Sequence, residues 1–450
     1  MKKGIGQEAF RHLLRDAKRR SGVSEGLKKS FESQAMDSVT ASRSLGDLDQ
    51  EYSIQKQVRP NFMKPGVNHG AIGSHPDFAH LADTRDTERH HVCSLFLDIK
   101  NSTRLSFLYD LDLVFAIKNF ILKGASEAVR AMDGHVHRFM GDALLAFFGS
   151  KSISEDDSVV NAINCCAVLQ ALMENTIIPV LVDEGVEARD IGFRIGLDFG
   201  GDDQVLWGAY GFSSVYEVTA TSFYVDVAAK LQAMALKNKA MMGESIVSKI
   251  DFPSDFLRKK VIKKDGAIVF IDTLNKSYTD RQGNVTKYRV RELHSEAYRD
   301  LLPYPAELKA DFEGSSVVSS SGFEFKCYVQ GDGGWEFYPS VSRMLPKYVS
   351  LQFRLKLSSE VYRSATFPLI VEFFKRNHGR EAQLEKGAGR FPSGSETVVL
   401  DGSGVRGFFN GKTIAISEGT KYRGLHTMEV VVRDNTRRVI YRDFIGVFIE

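Results

Sequence analysis

The sequence predicts an α/β domain with a mixed sheet, followed by a β-sandwich. Three observations carry this reading. From Val92 onward, short apolar strands alternate with long helical patterns. Two of these strands, 135–140 and 143–148, are joined by the tight turn Gly141-Asp142, so the sheet contains a hairpin and is not fully parallel. Beyond a Ser/Gly-rich stretch from Gly314 to Gly322, β-prone runs separated by glycine turns replace the helices.

A length of 450 residues allows more than one domain and ample core. A net charge of +2, with 43% hydrophobic and 26% charged residues, is ordinary for a water-soluble chain and singles out no partner class. No apolar run approaches the ~18 residues of a membrane span, and the start lacks the basic-then-apolar order of a secretory signal. Membrane insertion is therefore not expected. Cys93, Cys165, Cys166 and Cys327 are few and irregularly spaced, which fits reduced thiols in a cytoplasmic protein better than a disulfide framework or a zinc knuckle.

Residues 1–40 read as a basic helical segment, with Phe10, Leu13, Leu14 and Ala17 on one face among Arg11, Arg15, Lys18, Arg19 and Arg20. No zinc or recognition-helix signature accompanies this charge, so a solvated face is expected and nucleic acid is not. Residues 41–91 read as a linker punctuated by Gly and Pro. Its histidines, His69, His75, His80, His90 and His91, have no fixed ligand spacing and predict a polar stretch, not a metal site.

The α/β domain spans 92–255. Its predicted order is strand 92–98, helix 102–132, the hairpin 135–148, helix 155–175 and strand 191–197. A glycine-rich connection at 198–211, a strand or turn at 214–219 and a helix at 223–236 complete it. Residues 256–312 look like a hairpin appendage, 313–322 a linker and 323–450 a β-rich domain.

Chemistry concentrates between Ser94 and Gly149. Asp98 ends an apolar strand immediately before a helix start at Asn101-Ser102-Thr103. A carboxylate there sits beside free backbone N–H groups, an arrangement that suits a divalent metal with phosphate on the helix end. An isolated Asp98 would read as a cap. Asp142, in a tight turn between two apolar strands, adds the second carboxylate that a pair of metal ions ~3.5–4 Å apart requires.

Phe96-Leu97-Asp98-Ile99-Lys100-Asn101-Ser102-Thr103, then Arg138-Phe139-Met140-Gly141-Asp142, then Arg194-Ile195-Gly196-Leu197-Asp198-Phe199-Gly200 resemble the class III nucleotide cyclase catalytic domain in order and spacing over roughly 92–250. The resemblance implies a ferredoxin-like core acting as a head-to-tail homodimer with active sites at the interface. It implies that Asp98, Asp142 and the Ile99 backbone hold two Mg²⁺ or Mn²⁺ ions. The run Ile99, Lys100, Asn101, Ser102 and Thr103 would cradle phosphate. Asp226 and Lys230 stand where the family's late helix carries Asn and Arg. Lys230 can still neutralise developing charge, without a guanidinium fork. The pair also has the i,i+4 spacing of a helix salt bridge.

Arg138 and Thr219 fall on the base-reading positions. Arg138 only donates and Thr219 donates or accepts. A donor fork suits the carbonyl oxygens of uracil, and cytosine can be read through O2 and N3. Phe107 and Tyr109 could narrow the base pocket but read first as helix-core aromatics.

A class III core followed by a β-rich C-terminal domain resembles the bacterial anti-phage pyrimidine cyclases. That resemblance implies conversion of UTP to cyclic UMP, with CTP to cyclic CMP as the alternative. It also implies a separate effector protein that reads the product, and a phage-derived trigger. An adenylate cyclase with an unusual base pocket and a non-catalytic nucleotide sensor are the other readings. Retention of both Asp98 and Asp142 argues against the last.

Overall fold

Cys93, Leu95, Leu97 and Ile99 alternate with Ser94, Phe96 and Asp98, so the strand they form has two unlike faces. The computed structural model of the chain describes Gln7, Arg11, Leu14 and residues 52–212, 215–279, 282–399 and 411–450. The strands that frame the site are β1 (Val92–Lys100), β2 (His135–Met140), β3 (Ala143–Phe148), β4 (Gly192–Gly200), β5 (Leu206–Phe212), β6 (Val215–Thr221), β7 (Lys239–Gly243), β8 (Thr273–Thr279) and β9 (Val285–Leu293). The helices are α1 (Ser102–Leu108), α2 (Leu111–Ala131), α3 (Glu155–Leu172) and α4 (Phe223–Met234).

The main sheet runs β8-β9-β7-β4-β1-β3-β2. Within it β4-β1-β3-β2 are mutually antiparallel, with α1 and α2 crossing from β1 to β2 and α3 from β3 to β4. That is the ferredoxin-like order. α4 then crosses over to β7, which is parallel to β4. Leu95, Leu97 and Ile99 pack against α2 and α3 in one core. Phe96, Leu145 and Phe147 face the opposite way, towards Trp207 and Val218 of the β5–β6 hairpin.

Gly196 on β4 lets α4 lie directly on the sheet, because a Cβ there would overlap the Ala228 carbonyl and the Gln232 amide. Backbone cannot yield as a flexible side chain can. Gly196→Ala is expected to cost about 3 kcal/mol or more, read as a lowered Tm; an unchanged Tm would mean that α4 does not bear on β4.

From Ser158 to Leu172 α3 is buried all round because it is covered on both sides. With its continuation it forms a helix, Glu155–Asp183, long and apolar enough to cross a membrane by length and composition, yet 72% of its apolar window is buried. The sheet covers one side and the C-terminal domain the other: Asn164 donates to the Val341 carbonyl at 2.7 Å, and Asp157 accepts from the Met344 amide at 2.8 Å.

Two expectations for segments change. Apart from Gln7, Arg11 and Leu14, the basic helical segment 1–40 lies outside the described residues; Arg11 pairs with Asp183 at 2.7 Å and Leu14 is buried. The stretch 41–91 is, in its described part, packed structure and not a linker. Ile54, Val58 and Phe62 recur every fourth position and are buried, and Arg59 donates to the carbonyls of Pro65, Gly66, Arg130 and Ala131 while pairing with Asp133. Likewise 256–312 is more than an appendage. Only Lys260–Lys264 and Ala267–Ile271 form a separate hairpin, whereas β8 and β9 extend the main sheet, with Val290 and Leu293 buried.

The C-terminal domain is a sandwich of two sheets. One runs Gly334–Tyr338, Phe323–Gly331, Ser350–Leu357, Lys412–Gly419; the other runs Met344–Leu345, Val439–Ile449, Gly424–Arg433, Leu369–Asn377, Gly389–Val398. Phe325, Phe353, Leu355, Phe373 and Val430 fill the space between them.

Candidate active site

Asp98 sits near the end of β1, opposite Ala143 on β3 and Arg194 on β4. The Ile99 amide donates to the Asp142 carbonyl at 3.2 Å, which ties the β2–β3 turn to the strand and sets the two acids side by side. Gly141 supplies the positive φ, +68°, that this turn requires. Asn101, at φ 64°, bends the chain sharply from β1 into α1, and its side chain donates to the Asp190 carbonyl at 3.1 Å. Ser102 Oγ donates to Asp142.

Arg194 is the residue that sequence reasoning left without a role. Its Nε donates to Asp98 Oδ1 at 2.8 Å and its Nη2 pairs with the other oxygen, a two-pronged fork on the carboxylate. That hydrogen bonding to Asp98, together with the charges of Asp98 and Asp142, holds the guanidinium proton more firmly than usual. A cation therefore already rests on the acidic pair. Arg194 was present in the third motif, and its strand position opposite Asp98 is the signal that could have found it.

A second group assembles around Arg138. Glu217 on β6 pairs with Arg138 through one oxygen and takes His137 Nε2 at 2.7 Å on the other. His137 is fixed in turn through Nδ1 to the Gly73 carbonyl at 3.0 Å. Burial pushes the His137 pKa down, while the Gly73 carbonyl and the Glu217 carboxylate work against that shift. Thr219 is two residues beyond Glu217, hence on the same face of β6; it stands opposite Gly208 and is buried. Glu217 is the missed member. Its signal was the alternation that puts Glu217 and Thr219 on one strand face.

The α4 residues lie elsewhere on the same sheet face. Ser222 caps the helix by accepting from the Tyr224 amide at 3.2 Å, and Asp226 and Lys230 are exposed. Among the described residues no ion pair joins them, so the helix salt bridge is not formed. Lys230 Nζ instead lies 5.5 Å from the Tyr278 ring centroid. Lys100 and Thr103 flank the β1–α1 bend, half-buried and exposed respectively. Phe107 is 86% exposed, which overturns its reading as a helix-core aromatic. Tyr109 is structural, accepting from the Glu187 amide at 2.7 Å.

His90, His91 and Asp202, where no metal group was expected, place ligand atoms within 4.8 Å of one another. They lie beside the start of β1, away from Asp98. Asp202 accepts from the His91 amide at 2.8 Å and faces its Nδ1 at 3.0 Å, which accounts for the arrangement as a strand cap.

Comparison with known proteins now bears on this geometry. The chain is 37% identical over 406 residues to a cytidylate cyclase of Escherichia coli, covering 89% of this chain and 88% of that one. A cytidylate cyclase of Staphylococcus aureus is 32% identical over 88% of this chain and 87% of its own. The chain belongs to the class III nucleotide cyclases. Residues 303–450 of the cyclase match the family described as Adenylyl/Guanylyl and SMODS C-terminal sensor domain. Among solved structures, the adenylyl cyclase CyaB from P. aeruginosa covers 46% of this chain and 95% of its own at 18% identity and a TM-score of 0.37.

The cyclase core also holds a buried acid. Asp198 on β4 is fully buried; its Oδ1 accepts from Tyr288 Oη at 3.0 Å, from the Phe199 amide at 3.0 Å and from Ser245 Oγ, while Oδ2 has no partner. Gly243 makes room for it, since a Cβ there would overlap the carboxylate. Burial raises its pKa to about 7. The folded state thus binds this proton more tightly than the unfolded chain, whose Asp titrates near ~3.9. Stability is complete below that value and declines as pH rises towards about 7. Asp198→Asn keeps an acceptor at Oδ1 without the charge. Its Tm is expected to exceed that of the native cyclase at pH 8 and to match it at low pH; an equal Tm at pH 8 would mean that Asp198 carries no such penalty.

Proposed function

We propose that this cyclase converts CTP to 3′,5′-cyclic CMP and pyrophosphate as a homodimer. The observation that carries the base assignment is the Arg138–Glu217 pair beside Thr219. Cytosine presents an exocyclic amine that donates, next to a ring nitrogen and a carbonyl that accept. A carboxylate beside a guanidinium supplies the complementary acceptor and donors in one place. The relatives named cytidylate cyclase support the same choice.

Uracil, favoured from the sequence when Arg138 stood without its partner, is the second reading. It offers a carbonyl where cytosine offers the amine, so Glu217 would face an oxygen without a proton. Adenine shares the amine-and-nitrogen edge of cytosine, and against it stand the names of the relatives.

Asp98 and Asp142, with the Ile99 carbonyl, form an all-oxygen donor set that fits Mg²⁺ or Mn²⁺, and the cation already resting on Asp98 supports a positive charge there. Two such ions would lower the pKa of the ribose 3′-hydroxyl and offset charge on the triphosphate. Arg194 must release Asp98 when they bind. Lys100, Ser102 and Thr103 at the β1–α1 bend receive the phosphates through backbone N–H groups and the lysine charge. The 3′-oxygen then attacks the α-phosphorus and pyrophosphate leaves, with Lys230 neutralising charge that develops on the oxygens. Asp226 orients the ribose.

Asp226, Lys230, Arg138, Glu217 and Thr219 would serve the acids of the neighbouring subunit. Exposed Phe107, Leu111 and Phe115, and on the β5–β6 hairpin Tyr210 and Phe212, support a partner surface around the site. The four thiols are buried and free, which supports a cytoplasmic location. A diffusible cyclic nucleotide there acts as a second messenger on a separate effector, in antiviral defence with a phage-derived trigger.

Incubating the protein with ATP, GTP, CTP or UTP, one at a time with Mn²⁺, and identifying products by mass spectrometry tests the reading. Cyclic CMP from CTP is expected. Cyclic UMP or cyclic AMP as the main product would overturn the base assignment, and no cyclic product from any nucleotide would overturn the activity.

A further inference from the structure

The two sheets of the C-terminal sandwich splay apart at one end and leave a cavity of about 570 Å³, within the ~300–1,000 Å³ of small-molecule pockets. Its floor is apolar: Leu351, Phe353, Met428 and Val447 come from both sheets and are buried. Its rim carries two cations, each held by a neighbouring acid. Lys375 Nζ lies 2.8 Å from Glu418, and Lys421 Nζ lies 2.9 Å from Glu385 and donates to Tyr422 Oη at 3.1 Å. At the mouth Tyr348 is 82% exposed and sits at φ 65°, a left-handed conformation that costs a non-glycine residue free energy. An exposed aromatic held in that conformation over an apolar floor has no evident role in packing the sandwich.

The wall of this cavity is bonded to the cyclase domain. Thr420 fixes the turn after Lys412–Gly419, donating to the Pro346 carbonyl at 2.8 Å and accepting from the Val349 amide at 2.9 Å. Three residues on, Arg423 donates to Asp156 at 2.9 Å, in the first turn of α3, and to the Lys249 carbonyl at 2.7 Å. Gly424 packs so closely that a Cβ would lie 2.9 Å from the Asp251 carbonyl. His426, buried in the wall, meets the Tyr422 carbonyl at 2.8 Å through Nε2. A shift of residues 420–424 is thereby transmitted to the Glu244–Lys249 helix, whose Ser245 holds Asp198 on β4.

We propose that this cavity binds a small amphipathic ligand, a flat apolar body with an anionic end, and that its occupancy is passed to the cyclase domain through Arg423. The flat body rests on Leu351, Phe353 and Met428 under Tyr348, and the anionic end meets Lys375 and Lys421 at the rim. This site is separate from the nucleotide chemistry above and stands or falls without it.

The dye 8-anilinonaphthalene-1-sulfonate has this chemistry, an aromatic body with one sulfonate, and serves as the probe. Its fluorescence is titrated against the full chain, against Val349→Trp, which fills the half-buried mouth, and against Lys375→Met, which removes a rim charge without adding bulk. Circular dichroism establishes that each is folded. Saturable binding near one dye per chain is expected, about tenfold weaker in each variant, which corresponds to ~1.4 kcal/mol. Amide hydrogen exchange with and without dye reads the coupling. Dye is expected to slow exchange over 244–251 in the native chain, and Arg423→Ala is expected to bind dye as tightly while losing that slowing. No saturable binding, or equal affinity in whichever of the two pocket variants folds, would overturn the site. Unchanged exchange over 244–251 in the dye-bound native chain would overturn the coupling.

Discussion

Replacing Asp98 or Asp142 by alanine is expected to reduce nucleotide cyclisation by about three orders of magnitude or more, because losing ~4 kcal/mol of transition-state charge stabilisation costs ~10³ in rate. The fold should survive both changes. Asp142 sits in a turn whose backbone bond to Ile99 does not involve its side chain, and Arg194, left without Asp98, has a side chain 31% exposed to water. Product formation with Mn²⁺ and a melting curve on the same preparations measure this. A folded variant with full turnover would show that the acids do not hold the ions. Mixing Asp98→Ala with Lys230→Ala extends the test to the dimer. If each active site takes its acids from one chain and its lysine from the other, mixed dimers carry one intact site, and about a quarter of native activity should return. No recovery on subunit exchange would place the acids and Lys230 in the same subunit's site.

The second large effect concerns the base. Glu217→Gln replaces a pure acceptor by a group that can also donate, so the carbonyl oxygen of uracil is no longer rejected. Discrimination by a bidentate base contact is worth ~1–3 kcal/mol, so the preference for CTP over UTP is expected to fall by about tenfold to a hundredfold. Arg138→Ala should weaken both substrates, since both present acceptors to the guanidinium. An unchanged CTP-to-UTP ratio in Glu217→Gln would mean that Glu217 only braces Arg138 and His137.

The mixed sheet with its hairpin and the two acids were legible because each is written locally, whereas the ferredoxin-like order came with the family resemblance. Strand alternation places Asp98 on a sheet face, and Gly141 with Asp142 makes the turn that brings the second acid alongside. What was not legible depends on distant partners. β5 hides in a glycine-rich run, 198–211, because its period-two pattern is carried by Trp207 and Ala209 facing inward while Leu206, Tyr210 and Phe212 remain exposed. The segment 41–91 looked like linker because Ile54, Val58 and Phe62 are diluted by polar residues, and its order comes from Arg59 reaching across to Asp133. β9 read as part of an appendage since nothing in 285–293 announces that it pairs with β7. In the site the same division holds. Arg138 stood out by its position before Asp142, whereas Glu217 acquires meaning only once β6 is laid beside β2. The uridylate preference followed from seeing the donor without its acceptor.

The cytosine assignment rests on that pair, and one competition tests it most directly. The purified protein is given CTP and UTP in equal amounts in one vessel with Mn²⁺, and the two cyclic products are quantified together by mass spectrometry. Their ratio reports relative kcat/KM free of differences in enzyme concentration. Cyclic CMP is expected in excess by about tenfold or more. Equal products, or an excess of cyclic UMP, would contradict the account.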